Sequence, residues 1–574
     1  MLKKIWKILF SQKRKLVFSI ITGILSVSGL LIIPILTGKG IDLLIGIKQV
    51  DFNSLKYLLL GILVISLLTA LSQWLNDILN QKLIYTFSCE LRTKTFAKLQ
   101  RLSIKYLEMH PTGEYISRII NDIEQLTDGL YLALTQLITG ILTIIGTMIF
   151  MFSVNYQIAL VVILVTPLSI FVAYFISKRS YNYFKTQNKL KGNLTALINE
   201  RVSGVKLIEG YNYQSQNYKE FQSLNQSLTK ESLKATFISS LTNPSTRFVN
   251  SLVYAGVGLF GALFAIKGSI TIGELSVFLT YANQYTKPFN DISGVIAELQ
   301  NSFACAGRVF ELLELPEESE PNIKQLVVKN GRLEISHLTF GYNPDTLIIK
   351  DLSLKIEAGK HLAIVGPTGC GKTTLINLLM RYYKADKGTI YLDDIDIATV
   401  TKASLRENYG LVLQDTWLKN ASIKDNISYG NPQAGMEEII QAACKAHCHK
   451  FIMKLPKQYD TLIGENGEQL SLGQQQLLSI ARVILMNPKI LILDEATSSI
   501  DSRTELLIGD AFNQMTKNKT SIIVAHRLST IKNADLIIVM NNGKIEEQGT
   551  HEQLLLKKGF YANLIQSQFS GITI

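Results

Sequence analysis

Between an apolar run, His361–Val365, and a helical pattern opening at Thr374 lies Gly366-Pro367-Thr368-Gly369-Cys370-Gly371-Lys372-Thr373-Thr374. This string matches G-x-x-x-x-G-K-[ST], a phosphate-binding loop, in the strand-to-helix setting such a loop needs. Its glycines let the backbone turn so that N–H groups converge on one anion, and the following helix adds the positive end of its dipole. Lys372 then reaches the outer phosphates, and the Thr373 hydroxyl can ligate Mg2+. Downstream, Lys489-Ile490-Leu491-Ile492-Leu493-Asp494-Glu495 reads as a short apolar strand tipped by two acids. Asp494 at the tip can hold the Mg2+ shell, and Glu495 can polarise a water for attack on a γ-phosphate. These residue types at this spacing point to nucleoside triphosphate hydrolysis. Cys370 lies in the loop at a helix N-terminus beside Lys372, surroundings that favour a reactive thiol. A maleimide reagent is therefore expected to block nucleotide binding, and MgATP to protect. Cys444, His447, Cys448 and His449 crowd one stretch, but their spacing matches no common zinc site.

A chain of 574 residues exceeds one ordinary domain, and a mean hydropathy of +0.20 is high for a wholly soluble protein. The five cysteines show no disulfide framework, so reduced thiols are expected. The formal charge of +12 would suit nucleic acid, but Lys and Arg crowd beside apolar segments, as the positive-inside rule expects of a membrane protein. Six stretches are suited to spanning a bilayer: residues 16–37, 57–75, 130–154, 158–177, 248–266 and 275–296. They argue against a nucleic-acid ATPase. The first is long enough to span and carries no small-residue cleavage pattern, so no cleavable signal peptide is expected. Ahead of it, Lys3-Lys4-Ile5-Trp6-Lys7 with Lys13, Arg14 and Lys15 forms a basic amphipathic stretch suited to the inner leaflet.

Short links join spans three to four and five to six, whereas residues 76–129 and 178–247 are long, helical in pattern and basic. The long links and the N-terminus are therefore expected in the cytoplasm, with the membrane helices projecting as stalks. Their turns, near His110-Pro111-Thr112-Gly113 and Glu209-Gly210-Tyr211, are where a soluble module can push. Within the spans, Gln136, Asn243, Arg247, Asn250, Asn283, Gln284 and Asn290 should face a cavity or another helix. Tyr281, Tyr285 and Phe289 fit a cavity wall for amphipathic substrates and ordinary helix packing equally well. The acidic stretch 311–320, with Pro316 and Pro321, reads as a linker. The expected division is a membrane domain at 1–310, a linker at 311–330 and a nucleotide-binding domain at 331–574.

Further motifs surround the loop: Phe340-Gly341-Tyr342, Leu413-Gln414-Asp415, Gly464-Glu465-Asn466-Gly467, Leu470-Ser471-Leu472-Gly473-Gln474, Ser498-Ser499-Ile500-Asp501 and Val524-Ala525-His526-Arg527. With these, essentially the whole chain resembles an ATP-binding cassette (ABC) exporter half-transporter. That resemblance implies an α-helical membrane domain of six transmembrane helices with long cytoplasmic extensions, followed by an α/β P-loop NTPase domain. It implies ATP and Mg2+ as cofactors, with Gly366 to Thr374 around the phosphates, Tyr342 stacked on adenine, and Thr373, Gln414 and Asp494 about the metal. Glu495 would be the catalytic base, aided by Lys372 and Gln414, and His526 would contact the γ-phosphate. Two cassettes would close head to tail, so that Ser471, Gly473 and Gln474 reach the nucleotide held by the other subunit and Asp501 lies across the seam. The stalk turns would dock on the cassettes, the second on the partner's, with Glu465 near that contact.

The usual signature is L-S-G-G-Q, and here Leu472 takes the third position. A bulky side chain at a helix start meant to approach a phosphate should weaken it. An altered signature with an intact Glu495 resembles one subunit of heterodimeric bacterial multidrug exporters, whose partner is a second half-transporter lacking the glutamate. The implied function is ATP-driven export of amphipathic molecules, drugs or lipid-like, across the inner (cytoplasmic) membrane. A homodimeric lipid flippase or peptide exporter is the alternative, and a membrane regulator that binds ATP without cycling is a rival of another class.

Overall fold

The computed structural model describes residues 2–10, 12–44, 50–317, 325–343, 345–413, 416–464, 469–494, 501–524 and 528–569. The chain divides into two compact units, Met1–Arg101 with Pro111–Pro316, and Leu102–His110 with Glu317–Ile574.

The first unit is helical. A short amphipathic helix, α1 (Leu2–Phe10), buries Ile5 and exposes Trp6 and Phe10. It leads into α2 (Lys13–Leu44) and α3 (Phe52–Leu99), the latter capped by Asp51, whose carboxylate accepts from the amides of Asn53 and Ser54. After α4 (Ile104–Glu108), which belongs to the second unit, come α5 (Thr112–Ser117), α6 (Ile123–Leu132) and α7 (Ile138–Val154). The π turns Arg118–Asp122 and Ala133–Leu137 separate these three. The remainder is α8 (Tyr156–Ser203), α9 (Val205–Gly210), α10 (Gln214–Ser240), α11 (Thr242–Ile266) and α12 (Ile272–Glu314). The helices α3 and α8 are each 48 residues long. At about 1.5 Å per residue that is roughly 70 Å, far more than a hydrocarbon core of about 30 Å requires.

Among the described residues, Lys13–Leu44, Phe52–Leu99, Thr112–Val154 and Gln214–Ile266 are long and apolar enough to cross a membrane. The expected fourth span lies inside α8, where part of the side chains fall outside the described set, and the expected sixth, residues 275–296 and the most polar of the six, lies in α12. Polar ties hold these helices together. Ser19 donates to Asn76 (3.2 Å) and Asn80 (2.5 Å), and Arg308 grips Asp122 through Nε (2.8 Å) and a terminal nitrogen (2.5 Å). Tyr281 is fully buried and donates to the Leu31 carbonyl at 2.5 Å, while Tyr285 packs in the same core and meets Phe289 edge-on at 5.2 Å. Helix packing therefore accounts for both tyrosines. Gln136, Arg247 and Asn283 are exposed, and Asn250 Oδ1 and Gln284 Oε1 are buried without a hydrogen-bond partner among the described residues. The side chains of Asn243 and Asn290 lie outside the described set.

In the second unit, β1 (Leu333–Phe340), β2 (Ile349–Ile356) and β3 (His361–Val365) precede α13 (Lys372–Leu379). Next come β4 (Lys387–Leu392), β5 (Ile395–Asp396), α14 (Lys402–Arg406) and β6 (Tyr409–Val412). A helical stretch follows: α15 (Ile423–Ile427), α16 (Met436–Lys445), α17 (His449–Ile452) and α18 (Leu472–Met486). The chain then alternates through β7 (Ile490–Asp494), α19 (Ser502–Thr516), β8 (Thr520–Val524), α20 (Leu528–Lys532), β9 (Leu536–Asn541) and β10 (Lys544–Gly549). Two helices close it, α21 (His551–Leu556) and α22 (Phe560–Phe569).

An antiparallel sheet of order β2-β1-β4-β5 accompanies a six-stranded sheet of order β10-β9-β3-β8-β7-β6, parallel except for β10. The central strands β3, β7 and β8 are almost fully buried and mostly apolar, as strands covered on both faces must be.

Candidate nucleotide-binding site

Register sets the site. Val524 on β8 pairs with Ile364 of β3 on one side and with Asp494 of β7 on the other, so the phosphate loop and Asp494 leave the same edge of the sheet. That edge, beyond the carboxyl ends of parallel strands, is where open α/β sheets bind ligands.

The loop leaves β3 at Gly366 and ends at Gly371, which takes a left-handed φ of +107° immediately before α13. A Cβ at Gly366 would stand 2.2 Å from the Met540 backbone carbonyl, so packing excludes a side chain there, whereas at Gly371 the left-handed φ does. Lys372 Nζ donates to the carbonyls of Gly366 (2.8 Å) and Pro367 (3.0 Å), which arches its stem across the loop. Thr368, Gly369 and Thr373 are exposed, whereas Thr374 is buried and its hydroxyl lies 3.4 Å from the Tyr342 phenol. Asn377 donates to that phenol at 3.3 Å. A cradle of backbone amides with one lysine fits a polyphosphate, and the Thr373 hydroxyl and Asp494 carboxylate on the same edge form an oxygen-only donor set suited to Mg2+.

Cys370 departs from expectation. It is 4 % exposed, tucked 3.9 Å from Lys372 Nζ and against Gly366, so the ready reagent access inferred from its helix-terminal position is not met. In the cluster at 444–449, the two histidines and Cys448 are engaged separately. His447 meets Asp510 at 2.5 Å, His449 meets the Tyr459 phenol at 2.8 Å, and Cys448 donates to the Ala443 carbonyl at 3.3 Å.

The signature stretch opens α18 with a reciprocal cap. Ser471 Oγ accepts from the Gln474 amide, and the Gln474 side chain accepts from the Ser471 amide at 3.0 Å. Gly473 is buried, and Leu472 stands 59 % exposed at the first helical position. Asp501 caps α19 through the Thr504 amide at 3.0 Å, and that bond holds its carboxyl below the usual range. Gln414, Glu465, Glu495 and His526 lie outside the described residues.

Sequence reasoning missed two residues near the site. Tyr383 packs edge-on against Tyr342, with ring centres 5.0 Å apart, and its phenol donates to Glu108 of α4. No motif marks either one, because the contact joins positions 275 apart in the chain.

Residues 16–289 match the ABC transporter transmembrane region, and residues 349–498 match the ABC transporter family. The chain is 40 % identical over 520 residues to a fatty acid ABC transporter ATP-binding/permease protein of Mycobacterium bovis, covering 91 % of this chain and 82 % of that one. The chain is an ABC exporter half-transporter. A putative multidrug export ATP-binding/permease protein of Staphylococcus aureus is 34 % identical to this half-transporter over 580 residues, spanning 99 % of it and all of the relative. A solved bacterial Atm1-family ABC exporter with ATP bound superposes on the half-transporter with a TM-score of 0.82 at 28 % identity, covering 98 % and 99 % of the two chains. The membrane and ATPase domains of an ABC exporter are therefore both present in one polypeptide.

Proposed function

We propose that this half-transporter pairs with a second, different half-transporter to export amphipathic molecules, drugs or lipid-like, across the cytoplasmic membrane at the expense of ATP. The observation carrying the ATPase reading is the shared sheet edge, where register aligns the loop strand with Asp494. Lys372 and the loop amides bind and orient the β- and γ-phosphates, and Tyr342 stacks on the base. Thr373, Gln414 and Asp494 would hold Mg2+, which neutralises charge on the phosphates when bound. Glu495 orients and deprotonates the attacking water, Gln414 senses the γ-phosphate, and His526 contacts it. The basic distribution supports a cytoplasmic N-terminus and nucleotide-binding domain, and the exposed Leu472 supports a partner with a different signature. The relatives named for fatty acids and multidrug export favour an amphipathic cargo.

The test is transport of a fluorescent amphiphile into inverted vesicles carrying the assembled exporter, alongside phosphate release. MgATP-dependent uptake, lost in Glu495→Gln, is the expected outcome. A wild-type complex that releases phosphate no faster than Glu495→Gln, or a cargo gradient that forms without ATP, would remove the reading.

A further inference from the structure

The loop between α13 and β4 touches two places at once. Its Tyr383 is 7 % exposed, and the phenol donates to the carboxylate of Glu108 on α4. The same ring lies edge-on to Tyr342 at 5.0 Å and 88° and to Phe340 at 5.6 Å and 62°, and those two meet each other at 5.2 Å and 81°. Edge-to-face rings are the arrangement that aromatic quadrupoles favour. Farther along the loop, Asp386 accepts from the Gly341 amide at 2.9 Å, and its own amide donates to the Thr339 carbonyl at 3.0 Å. Burial, and then the Glu108 contact, push the Tyr383 phenol well above its usual range, so it stays a donor at any physiological pH.

We propose that Tyr383 is a positioning residue for the nucleotide base: held by Glu108 on the first stalk turn, it sets the orientation of the Tyr342 ring, so that a shift of the turn changes affinity for the base. Linkage makes the effect reciprocal, and base binding biases the turn equally. The inference rests on the reading of Tyr342 as the base-stacking residue.

The experiment measures dissociation constants of MgATP and of magnesium tripolyphosphate, which has no base, on the assembled exporter in lipid nanodiscs in a Glu495→Gln background. Tyr342→Ala and Tyr383→Leu are each expected to raise the ATP value about fivefold and leave tripolyphosphate unchanged. Glu108→Ala and Tyr383→Phe, which keep the ring packed but lose the tie to the turn, are expected to act in the same direction by about twofold, and Glu108→Ala to lose its effect when Tyr342 is already Ala. Equal shifts for both ligands in Tyr383→Leu, or a Glu108→Ala effect indifferent to Tyr342, would overturn the proposal. A selective Tyr342→Ala with silent Tyr383 and Glu108 variants overturns it and leaves the stacking role standing. A Tyr342→Ala that leaves ATP unchanged overturns both.

Discussion

Lys372, the proposed phosphate-binding lysine, is preorganised by its own loop. Its ammonium is held by two carbonyls of its own loop, at 2.8 and 3.0 Å, so the stem already arches over the cradle and little rotamer freedom is left to lose on binding. Lys372→Ala is expected to lower ATPase turnover by about a hundredfold or more, the usual loss of one preorganised charge aimed at a reacting centre. Lys372→Arg is not a rescue, because a planar guanidinium does not fit where a compact ammonium bridges two carbonyls. Phosphate release checks both. At Cys370, burial outweighs helix-terminal activation: mapping of maleimide adducts should find exposed Cys89 and Cys444 labelled first and Cys370 slowly, with MgATP slowing it further. Rapid labelling of Cys370 indifferent to MgATP would contradict the placement of the loop.

Between elements, the junction of α2 and α12 depends on two glycines and one acid. A Cβ on Gly273 would fall 2.0 Å from the Gly38 carbonyl, and Asp42 accepts from the Gly273 amide and the Thr271 hydroxyl, both at 2.7 Å, where α12 begins. Gly273→Ala must push the helices apart, at a cost of about 1–3 kcal/mol. Asp42→Ala removes the acceptor that the Gly273 amide and the Thr271 hydroxyl share, for about 1 kcal/mol. Thermal unfolding of the exporter in lipid should rank Gly273→Ala below Asp42→Ala, and both below wild type. This junction was invisible in the sequence because Asp42 and Gly273 lie 231 residues apart and neither carries a motif. The phosphate loop was legible for the opposite reason, since its constraints fall in consecutive residues, with φ and close approach demanding glycine where glycine stands. Apolar runs revealed most of the membrane helices. The polarity of α12 left its aromatic face open to two readings, which the buried Tyr281 bond to Leu31 decided for packing. The π turns, short and without a compositional signal, could not be foreseen.

At the scale of the whole molecule, Leu472 distinguishes an asymmetric pair from a symmetric one. Ser471 and Gln474 satisfy each other within the chain, which leaves the first turn of α18 intact and Leu472 projecting 59 % exposed. In an asymmetric pair, this altered signature faces the partner's loop, at a site without a glutamate base. Restoring glycine there cannot create a base, so Leu472→Gly is expected to leave steady-state ATPase within about twofold of wild type while tightening ATP retention at that site. In that asymmetric pair Glu495 would be the sole base, so Glu495→Gln should abolish turnover. In a homodimer both sites would carry Leu472 and Glu495 together, and Leu472→Gly would accelerate hydrolysis at both. Phosphate release and nucleotide trapping on the purified complex separate these outcomes. One retained ATP per assembled pair with unchanged turnover supports asymmetry, whereas a several-fold faster Leu472→Gly enzyme from this chain alone would show that the exporter assembles from two identical halves.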